Sequence, residues 1–204
     1  TLLMKLNKIN IIFISCLLIY GCSCISQNKI QSQIFNIRAL GMEIGEIKVR
    51  QEEKEGKLFI EAISEFEVRI IFKIKGKYIQ TSIYKEGVLL ESTLKTYKKN
   101  QVKSNTRIIK NGKGYKLDKK DKVLFINDVI KFSGSLLFFN EPKNIKDMYF
   151  EISGQKTTVK SMGNHKYLVI NPQNGKKNEY FYENKVLKKA IIKHAIANVF
   201  LERK

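Results

Sequence analysis

The sequence predicts a mainly all-β domain, in which an antiparallel meander curls into a barrel or half-barrel with one short helix near residues 133–140. Apolar residues recur at every second position over long stretches, and short glycine-containing turn sequences separate these stretches. No helical periodicity of comparable length interrupts them. About ten meandering strands exceed what an open twisted sheet holds comfortably, so we expect the sheet to curl or close.

The clearest alternation runs from Leu58 to Ile74, where apolar side chains occupy most even positions and charged side chains most odd ones. A period of two places one face of a strand in the core and the other in water. The pattern predicts one long strand, or two strands in the same phase joined near Ser64. Gly76-Lys77 is predicted to end this segment, and another strand is expected over 78–85.

The rest of the domain is predicted to continue as short strands and turns. Glu86-Gly87 and Asn174-Gly175 are hairpin signals, whereas Ser133 is expected to cap a short helix that Pro142 stops. Residues 190–201 combine alanines, which favour helix, with branched apolar residues, which favour strand; we prefer strand. Further strands are predicted over 42–51, 88–96, 102–108, 115–117, 122–126, 148–153, 157–161, 167–170 and 179–182.

The first residues form a segment of a different kind. Lys5 and Lys8 form a basic region just ahead of an apolar run over 9–20. Its length of about 12 residues matches the apolar region of a secretory signal peptide and falls short of the ~20 that a membrane-spanning helix needs. We expect Met4 to be the true start. The alternative is a short buried helix with an incidental cysteine.

The run closes with Ile19, Tyr20, Gly21 and Cys22, which resembles the lipobox of bacterial lipoproteins. Ile19 stands where the family prefers Leu, and Tyr20 where it prefers Ala or Ser. The resemblance implies cleavage before Cys22 and a diacylglyceryl thioether on its sulfur, with acyl chains such as palmitate holding the protein to a membrane. Stable attachment needs two or more chains.

No acidic residue directly follows Cys22, which resembles the outer-membrane sorting of Gram-negative lipoproteins. We therefore expect a lipid-anchored protein of the cell envelope, at the outer membrane and facing the periplasm, with the inner membrane as the alternative. The chain then divides into a signal peptide over 1–21, a flexible tether over 22–36 and a single domain over 37–204.

The formal charge of the chain is +19, and it falls to +17 when Lys5 and Lys8 leave with the signal peptide. Such an excess raises nucleic acid as a partner. Lysine supplies most of it, whereas the bidentate contacts of base readout need arginine. We expect no nucleic-acid partner and favour anionic lipid or an acidic envelope partner. The arginines are Arg38, Arg50, Arg69, Arg107 and Arg203.

The titratable residues suggest no catalytic or metal site, and we expect no cofactor. Cys16 leaves with the signal peptide and Cys22 is acylated, so Cys24 has no partner for an intramolecular disulfide. The histidines, His165 and His194, lie far apart in the sequence. An enzyme would have to pair one of them with an acidic residue, the candidates being Asp121, Asp128, Asp147 and Glu151.

The mature domain also resembles, in pattern, the uncharacterised β-rich exported proteins of the Bacteroidota and their domains of unknown function. The resemblance covers about residues 45–201. It rests on Gly45-Glu46-Ile47-Lys48-Val49 at the start of the sheet, Asn140-Glu141-Pro142 after the helix and the Tyr180-Phe181-Tyr182 strand. It implies the fold and no particular activity.

Two functions follow from these patterns. The first is a membrane-anchored module that binds a hydrophobic ligand, such as a lipid, inside the curled sheet. The alternative is a structural or interaction protein of the envelope that uses a Lys-rich face. An apolar cavity would favour the first, and a packed interior the second. The aromatic residues that motivate the first are Phe66, Phe72, Tyr78, Tyr84 and Tyr97.

Overall fold

A computed structural model gives the fold and describes residues 29–69, 73–98, 101–120, 122–151, 153–194 and 197–204. Of the described residues, 70% lie in strands and 3% in helix, which confirms the mainly all-β prediction. Within the described ranges, fourteen strands form one antiparallel sheet. They are β1 Ile30–Ala39, β2 Met42–Lys54, β3 Lys57–Arg69, β4 Lys73–Lys85, β5 Val88–Lys98, β6 Gln101–Asn111, β7 Gly114–Lys119, β8 Lys122–Ile126, β9 Asp147–Phe150, β10 Gln155–Ser161, β11 Lys166–Ile170, β12 Lys177–Glu183, β13 Val186–Ile192 and β14 Val199–Arg203.

The strand order shows how the chain builds this sheet. From β1 near the centre, successive hairpins run outwards to β8 at one edge. The chain then crosses to the opposite edge through a 3₁₀ helix, Gly134–Phe138. Hairpins lead back from β9 to β14, which pairs with β1. The sheet is curled but not closed, in agreement with the half-barrel form of the prediction.

Side chains connect the two edges of the curled sheet. Gly154, in the turn between β9 and β10, lies against Ile126 of β8. Asp128, just after β8, accepts hydrogen bonds from the Tyr149 hydroxyl of β9 at 2.7 Å and from the Lys156 ammonium of β10 at 2.9 Å. These contacts bring the last strands of both halves together around one core.

The crossover segment fills the inner face of the curl. Ile130, Leu136, Leu137, Phe139 and Met148 are buried and belong to the same core cluster as apolar residues from both halves of the sheet. The predicted short helix near 133–140 is therefore confirmed, in 3₁₀ form. Because this segment occupies the space that the sheet encloses, the interior is packed with side chains.

Ser133 occupies the N-cap position of that helix, as predicted, but its hydroxyl does not accept a hydrogen bond from a free backbone N–H group of the helix. Glu151 takes this role, because its carboxylate accepts the backbone N–H groups of Gly134 and Ser135, each at 3.1 Å. A carboxylate satisfies two free N–H groups at once, where a serine hydroxyl would satisfy one.

The long alternation after Leu58 belongs to two strands, β3 and β4, and Ser64 lies inside β3. Gly76-Lys77 does not end a strand, since both residues lie inside β4. The hairpin register pairs Phe66 with Gly76, so even positions face the same side in both strands. The period of two in the sequence therefore runs from β3 into β4 without a visible break. Ile70 and Phe72 lie outside the described residues.

The sheet also begins earlier than expected. β1 starts at Ile30, so residues 30–36, which the sequence assigned to the tether, belong to a strand. This strand lies between β2 and β14, and Phe35 and Ile37 are buried on its inner side. Gln31 and Gln33 share that side and are half-buried, whereas Ser32 faces outwards. Composition suggested a tether because the start of the strand carries polar side chains on both sides.

The alternating hairpins give the sheet two ends. The Gly41 end carries the turn at 40–41 between β1 and β2, and it is also where β5 ends and β6 begins and where β7 ends and β8 begins. The Gly56 end carries the opposite turns, among them Glu55-Gly56 and Glu86-Gly87, and also the start of β1. In both of these turns the two residues have positive φ, as the predicted Glu86-Gly87 hairpin requires.

The preference for strand over helix in 190–201 is confirmed at both ends of this range, whereas residues 193–194 and 197–198 between them are not strand. β13 extends to Ile192 and β14 begins at Val199, and the two strands pair with each other. β14 also pairs with β1, with Val199 opposite Ala39. β14 is therefore paired on both sides, by β13 and by β1.

Candidate functional site

The residues predicted to anchor the protein, Ile19, Tyr20, Gly21 and Cys22, lie outside the described residues. Among the residues that the structure describes, no helix has the length and hydropathy to span a membrane.

The structure places the candidate histidines apart from the acidic residues proposed for them. His165 lies in the turn between β10 and β11, where its Nδ1 donates to Glu141 Oε1 at 3.0 Å. His194 is exposed after β13. Asp128 binds Tyr149 and Lys156, and Asp147 lies 3.9 Å from Lys156 Nζ.

Of the remaining acidic candidates, the structure describes Glu151 alone. Glu151 is buried and caps the 3₁₀ helix, whereas Asp121 lies outside the described residues. Glu141, which does contact His165, was quoted in the sequence as part of Asn140-Glu141-Pro142 without a chemical role. Its position after the helix gave no signal that the fold would bring it to a histidine 24 residues later.

An open cleft with aromatic walls lies at the Gly41 end of strands β2 to β5. The Phe66 and Tyr78 rings stack with their centroids 5.7 Å apart and their planes 17° from parallel. Phe66 also packs against the margin of the core. The cleft has a volume of about 440 Å³, and we call it the aromatic cleft. It is lined by Ile44, Gly45, Glu65, Phe66, Glu67, Lys75, Gly76, Lys77 and Tyr97.

Two glycines make room for Phe66, Gly76 for its ring and Gly45 for its backbone. Phe66 faces Gly45 on β2 and Gly76 on β4, its direct partners in the sheet. A methyl group on Gly76 would overlap the ring, and one on Gly45 would overlap the Glu65 carbonyl oxygen and the Phe66 backbone. The Phe66 ring therefore lies over the Gly76 backbone, and the Phe66 backbone lies close to Gly45.

Charged side chains form the rim of the aromatic cleft. Glu67 pairs with Lys73 at 2.5 Å and with Lys75 at 2.9 Å, while Glu65 pairs with Lys77 at 2.7 Å. The hydrogen bond from Lys73, followed by that from Lys75, lowers the pKa of Glu67. Glu67 is thus ionised at neutral pH.

More lysines gather at the same end of the sheet. They lie close to the turns between β5 and β6 and between β7 and β8, and all are exposed. An apolar wall beside positive charge is the arrangement that suits a molecule with an apolar part and an anionic group. These lysines are Lys95, Lys98, Lys103, Lys119, Lys120 and Lys122.

The structure divides the aromatic residues that motivated the ligand hypothesis. Phe66 and Tyr97 line the aromatic cleft, and Tyr78 stacks on Phe66 without lining it. Phe72 lies outside the described residues. Tyr84 is buried, and its hydroxyl is hydrogen-bonded to Ser133 and, at 3.0 Å, to Ser135. Burial raises the pKa of Tyr84 well above its ordinary value, with a smaller contribution from the Glu151 charge. Tyr84 therefore belongs to the core.

Comparisons with known proteins identify one family. The model of a domain of unknown function, DUF6134, matches residues 35–204 of the chain. No curated protein and no solved structure matches the chain. The match starts within β1 and ends at the last residue of the chain.

Proposed function

Since the chain belongs to the DUF6134 family of domains of unknown function, we propose that it is a lipid-anchored envelope protein that binds an anionic amphiphile in the aromatic cleft. The single observation that carries this proposal is the Phe66 ring, which lies over Gly76 and stacks on Tyr78, beside the exposed lysines of the Gly41 end. The proposed ligand has an aliphatic chain and a carboxylate or phosphate group.

The size and chemistry of the cleft support such a ligand. About 440 Å³ falls within the range of small-molecule sites, ~300–1,000 Å³. Each methylene group that leaves water for the walls of the cleft would contribute ~0.8 kcal/mol. The anionic group would then lie among the lysines. The packed interior argues against a ligand inside the curl, where the sequence predicted one, and by that criterion favours the second candidate function below. The proposed site is therefore the open cleft at the end of the sheet.

The position of the N-terminal segment supports a site that points away from the anchoring membrane. With Cys22 acylated at the outer membrane, eight residues lead to Ile30, and they span at most about 28 Å. β1 begins at the Gly56 end, whereas the aromatic cleft lies at the Gly41 end. A strand of 13 residues is about 43 Å long. The cleft would therefore face the periplasm.

Binding of radiolabelled dodecanoate, measured by equilibrium dialysis below its micelle concentration, tests the ligand proposal. We would use the mature chain with Cys22→Ser, because it carries no acyl group of its own. Phe66→Ala should weaken binding at least about tenfold, or ~1.4 kcal/mol. Phe59→Ala is the matched control, since Phe59 lies on the same strand and is 37% exposed outside the cleft. Equal binding by both variants, or no binding by the parent, would refute the proposal.

Metabolic labelling with radioactive palmitate tests the anchor. The wild-type chain and a Cys24→Ser control should incorporate label, and Cys22→Ser should incorporate none. Only the Cys22 thiol would carry the thioether, and Cys24 lies two residues away. Undiminished label on Cys22→Ser would contradict lipid anchoring at this site, whatever the outcome of the dodecanoate experiment.

A second candidate function is suggested by the exposed lysines alone. A Lys-rich face would bind an acidic envelope partner or anionic lipid head groups without using the aromatic cleft. Sedimentation with phosphatidylglycerol vesicles, compared with phosphatidylcholine, should then show binding that weakens at high salt. Phe66→Ala should bind these vesicles as well as the parent does, which separates this function from the first.

A further inference from the structure

A second cleft lies at the Gly56 end, opposite the aromatic cleft, and is built around Glu141. Glu141 follows the 3₁₀ helix, and its backbone N–H donates to the Lys185 carbonyl at 3.0 Å. The hairpin between β10 and β11 brings His165 and Tyr167 to its carboxylate. This Glu141 cleft has a volume of about 410 Å³, and its walls include Lys143, Ser161 and Asn164.

The two carboxylate oxygens of Glu141 have different surroundings. Oε1 accepts hydrogen bonds from the Tyr167 hydroxyl at 2.7 Å and from His165 Nδ1 at 3.0 Å. Oε2 is buried and has no hydrogen-bond donor among the described residues. Lys143 Nζ, at 3.7 Å, is near enough for charge attraction but too far for a hydrogen bond. One acceptor oxygen of the cleft is therefore without a hydrogen-bond partner among the described residues.

The burial of this carboxylate makes the open position significant. The Glu141 side chain is 2% exposed. Burial raises its pKa, but the hydrogen bonds from Tyr167 and His165 and the charge of Lys143 outweigh it, so that the pKa of Glu141 is lowered. Burial, followed by the hydrogen bond to Glu141 and the charge of that carboxylate, raises the pKa of Tyr167 to about 12. A buried ionised oxygen without a donor is costly, so a donor from outside the chain would stabilise it.

The charge balance of the cleft indicates which donor fits. Lys143 already opposes the single negative charge of Glu141, so an additional cationic group would gain little from binding here. Among the described residues, no group of three histidine, cysteine or acidic side chains could hold a metal ion. A neutral hydroxyl group can donate to Oε2 without changing the net charge, in a strong charge-assisted hydrogen bond.

The other walls suit a ligand with several hydroxyl groups. The side chains of Asn144, Ser161 and Asn164 can both donate and accept hydrogen bonds. Asn164 and His165 both have positive φ, 47° and 58°, which fixes the turn that carries the imidazole. His165 is 58% exposed, so one side of the cleft is open to solvent.

We propose that the Glu141 cleft binds a neutral polyhydroxylated ligand, a sugar, through a hydroxyl group that donates to Glu141 Oε2. The His165 and Tyr167 donors hold the carboxylate in place, and the amide and hydroxyl groups of the walls contact neighbouring hydroxyls. This site is separate from the aromatic cleft and does not depend on the anchor. Free sugars and the glycan strands of the cell wall present the same hydroxyl chemistry.

NMR titration of the ¹⁵N-labelled mature Cys22→Ser chain tests this inference. The probes are galactose, mannose and N-acetylglucosamine, and separately soluble peptidoglycan glycan strands. We expect at least one probe to produce saturable shifts in the amides of residues 163–167. Saturation by a monosaccharide identifies free sugar as sufficient, and saturation by the strands alone identifies the polymer as the ligand. No saturable shift with any of the four probes would overturn the inference.

Three variants locate the binding. Glu141→Gln should weaken binding about tenfold, because the amide loses the charge that strengthens the hydrogen bond. His165→Ala changes an exposed side chain and should weaken binding several-fold even if Glu141→Gln fails to fold. Glu179→Gln is the control, because this carboxylate pairs with Lys166 outside the cleft. Unchanged affinity in both Glu141→Gln and His165→Ala would also overturn the inference.

Discussion

Glu151 accepts a hydrogen bond from the Ser133 hydroxyl inside the curled sheet. The same carboxylate accepts the N–H groups of Gly134 and Ser135, and the Tyr84 hydroxyl reaches Ser133 from β4. Glu151 is 4% exposed, and Ser133 is fully buried. This contact joins the two halves of the sheet, because Tyr84 belongs to the outward run of hairpins and Glu151 follows β9.

We predict that Glu151→Gln lowers the free energy of unfolding by about 2–3 kcal/mol. A glutamine places an NH₂ group against one of the N–H donors that Glu151 now satisfies, and it removes the charge from the hydrogen bonds. Urea unfolding followed by circular dichroism would measure the change, and the melting temperature should fall by about 4–12 °C. Glu183→Gln, on the exposed surface, should unfold like the wild type. An equally stable Glu151→Gln would show that this capping is dispensable.

Ser82 and Ser92 form a buried pair between β4 and β5. Their hydroxyl oxygens lie 2.9 Å apart, and Ser92 donates to the Thr81 carbonyl at 2.9 Å. Ser82 must therefore donate to Ser92. We predict that Ser92→Ala lowers the free energy of unfolding by about 1–2 kcal/mol, because it leaves the Ser82 hydroxyl buried without an acceptor. Ser82→Ala should cost less, since Ser92 keeps its acceptor.

The double variant provides the internal control for this prediction. With both hydroxyls removed, no buried donor remains unpaired, so Ser82→Ala/Ser92→Ala should be more stable than the sum of the single effects implies. Urea unfolding of the four proteins gives the coupling energy. Strict additivity would mean that the two hydroxyls do not interact in solution.

Much of the fold could be predicted because its strands follow one simple rule. Residues such as Ile60, Tyr84 and Leu94 alternate with polar neighbours and point into the core, as the period of two requires. The same rule concealed the β3–β4 turn, because the pairing of Phe66 with Gly76 keeps even positions on one face through the hairpin. The start of β1 was missed because Gln31, Ser32 and Gln33 place polar side chains on both sides of the strand, so its first residues do not show the period of two.

The candidate sites were harder to predict, because contacts distant in sequence form them. The aromatic cleft depends on Gly45 and Gly76 lying on either side of Phe66, and neither glycine reveals this partner in the sequence. The Glu141 cleft depends on the crossover segment meeting the β10–β11 turn. A histidine signals a site only when its acidic partner is known, and the register of the sheet decides that partner.

The two glycines beside Phe66 should differ in their tolerance of a methyl group. Gly76→Ala would overlap the far end of the Phe66 ring, which can turn aside, and should lower the free energy of unfolding by about 1 kcal/mol. Gly45→Ala would overlap the backbone of Glu65 and Phe66, which cannot move independently of the sheet, and should cost about 2–3 kcal/mol. Urea unfolding would measure both.

A matched glycine controls for the backbone entropy that any glycine-to-alanine change alters. Gly134→Ala meets Phe150 and Glu151 side-chain atoms at 3.0 Å, so its neighbours need to shift by only tenths of an ångström. Gly134→Ala should therefore lower the free energy of unfolding by less than Gly45→Ala does. If Gly76→Ala destabilised the protein more than Gly45→Ala, the Phe66 ring would be held more firmly than its position at the cleft implies.

Asp128 should make the stability of the domain depend on acid. The Tyr149 hydroxyl lowers the pKa of Asp128 to about 2, with further contributions from Lys156 and the Val129 N–H group. In an unfolded chain an aspartate titrates near ~3.9. The folded protein therefore protonates Asp128 at a lower pH than the unfolded chain does. The stabilisation of the folded state by the ionised Asp128 carboxylate is complete above about pH 4 and is lost as the pH falls towards 2.

We predict that Asp128→Asn destabilises the protein by less than about 1 kcal/mol above pH 5, because the side chain is 42% exposed and solvent screens its interactions. The difference from the wild type should shrink towards zero near pH 2, as measured by urea unfolding at five pH values between 2 and 7. Tyr149→Phe removes the largest cause of the lowered pKa and should reduce the acid dependence while leaving Lys156 in place. A difference between wild type and Asp128→Asn that stayed constant over this range would mean that the hydrogen bond from Tyr149 does not hold the carboxylate ionised.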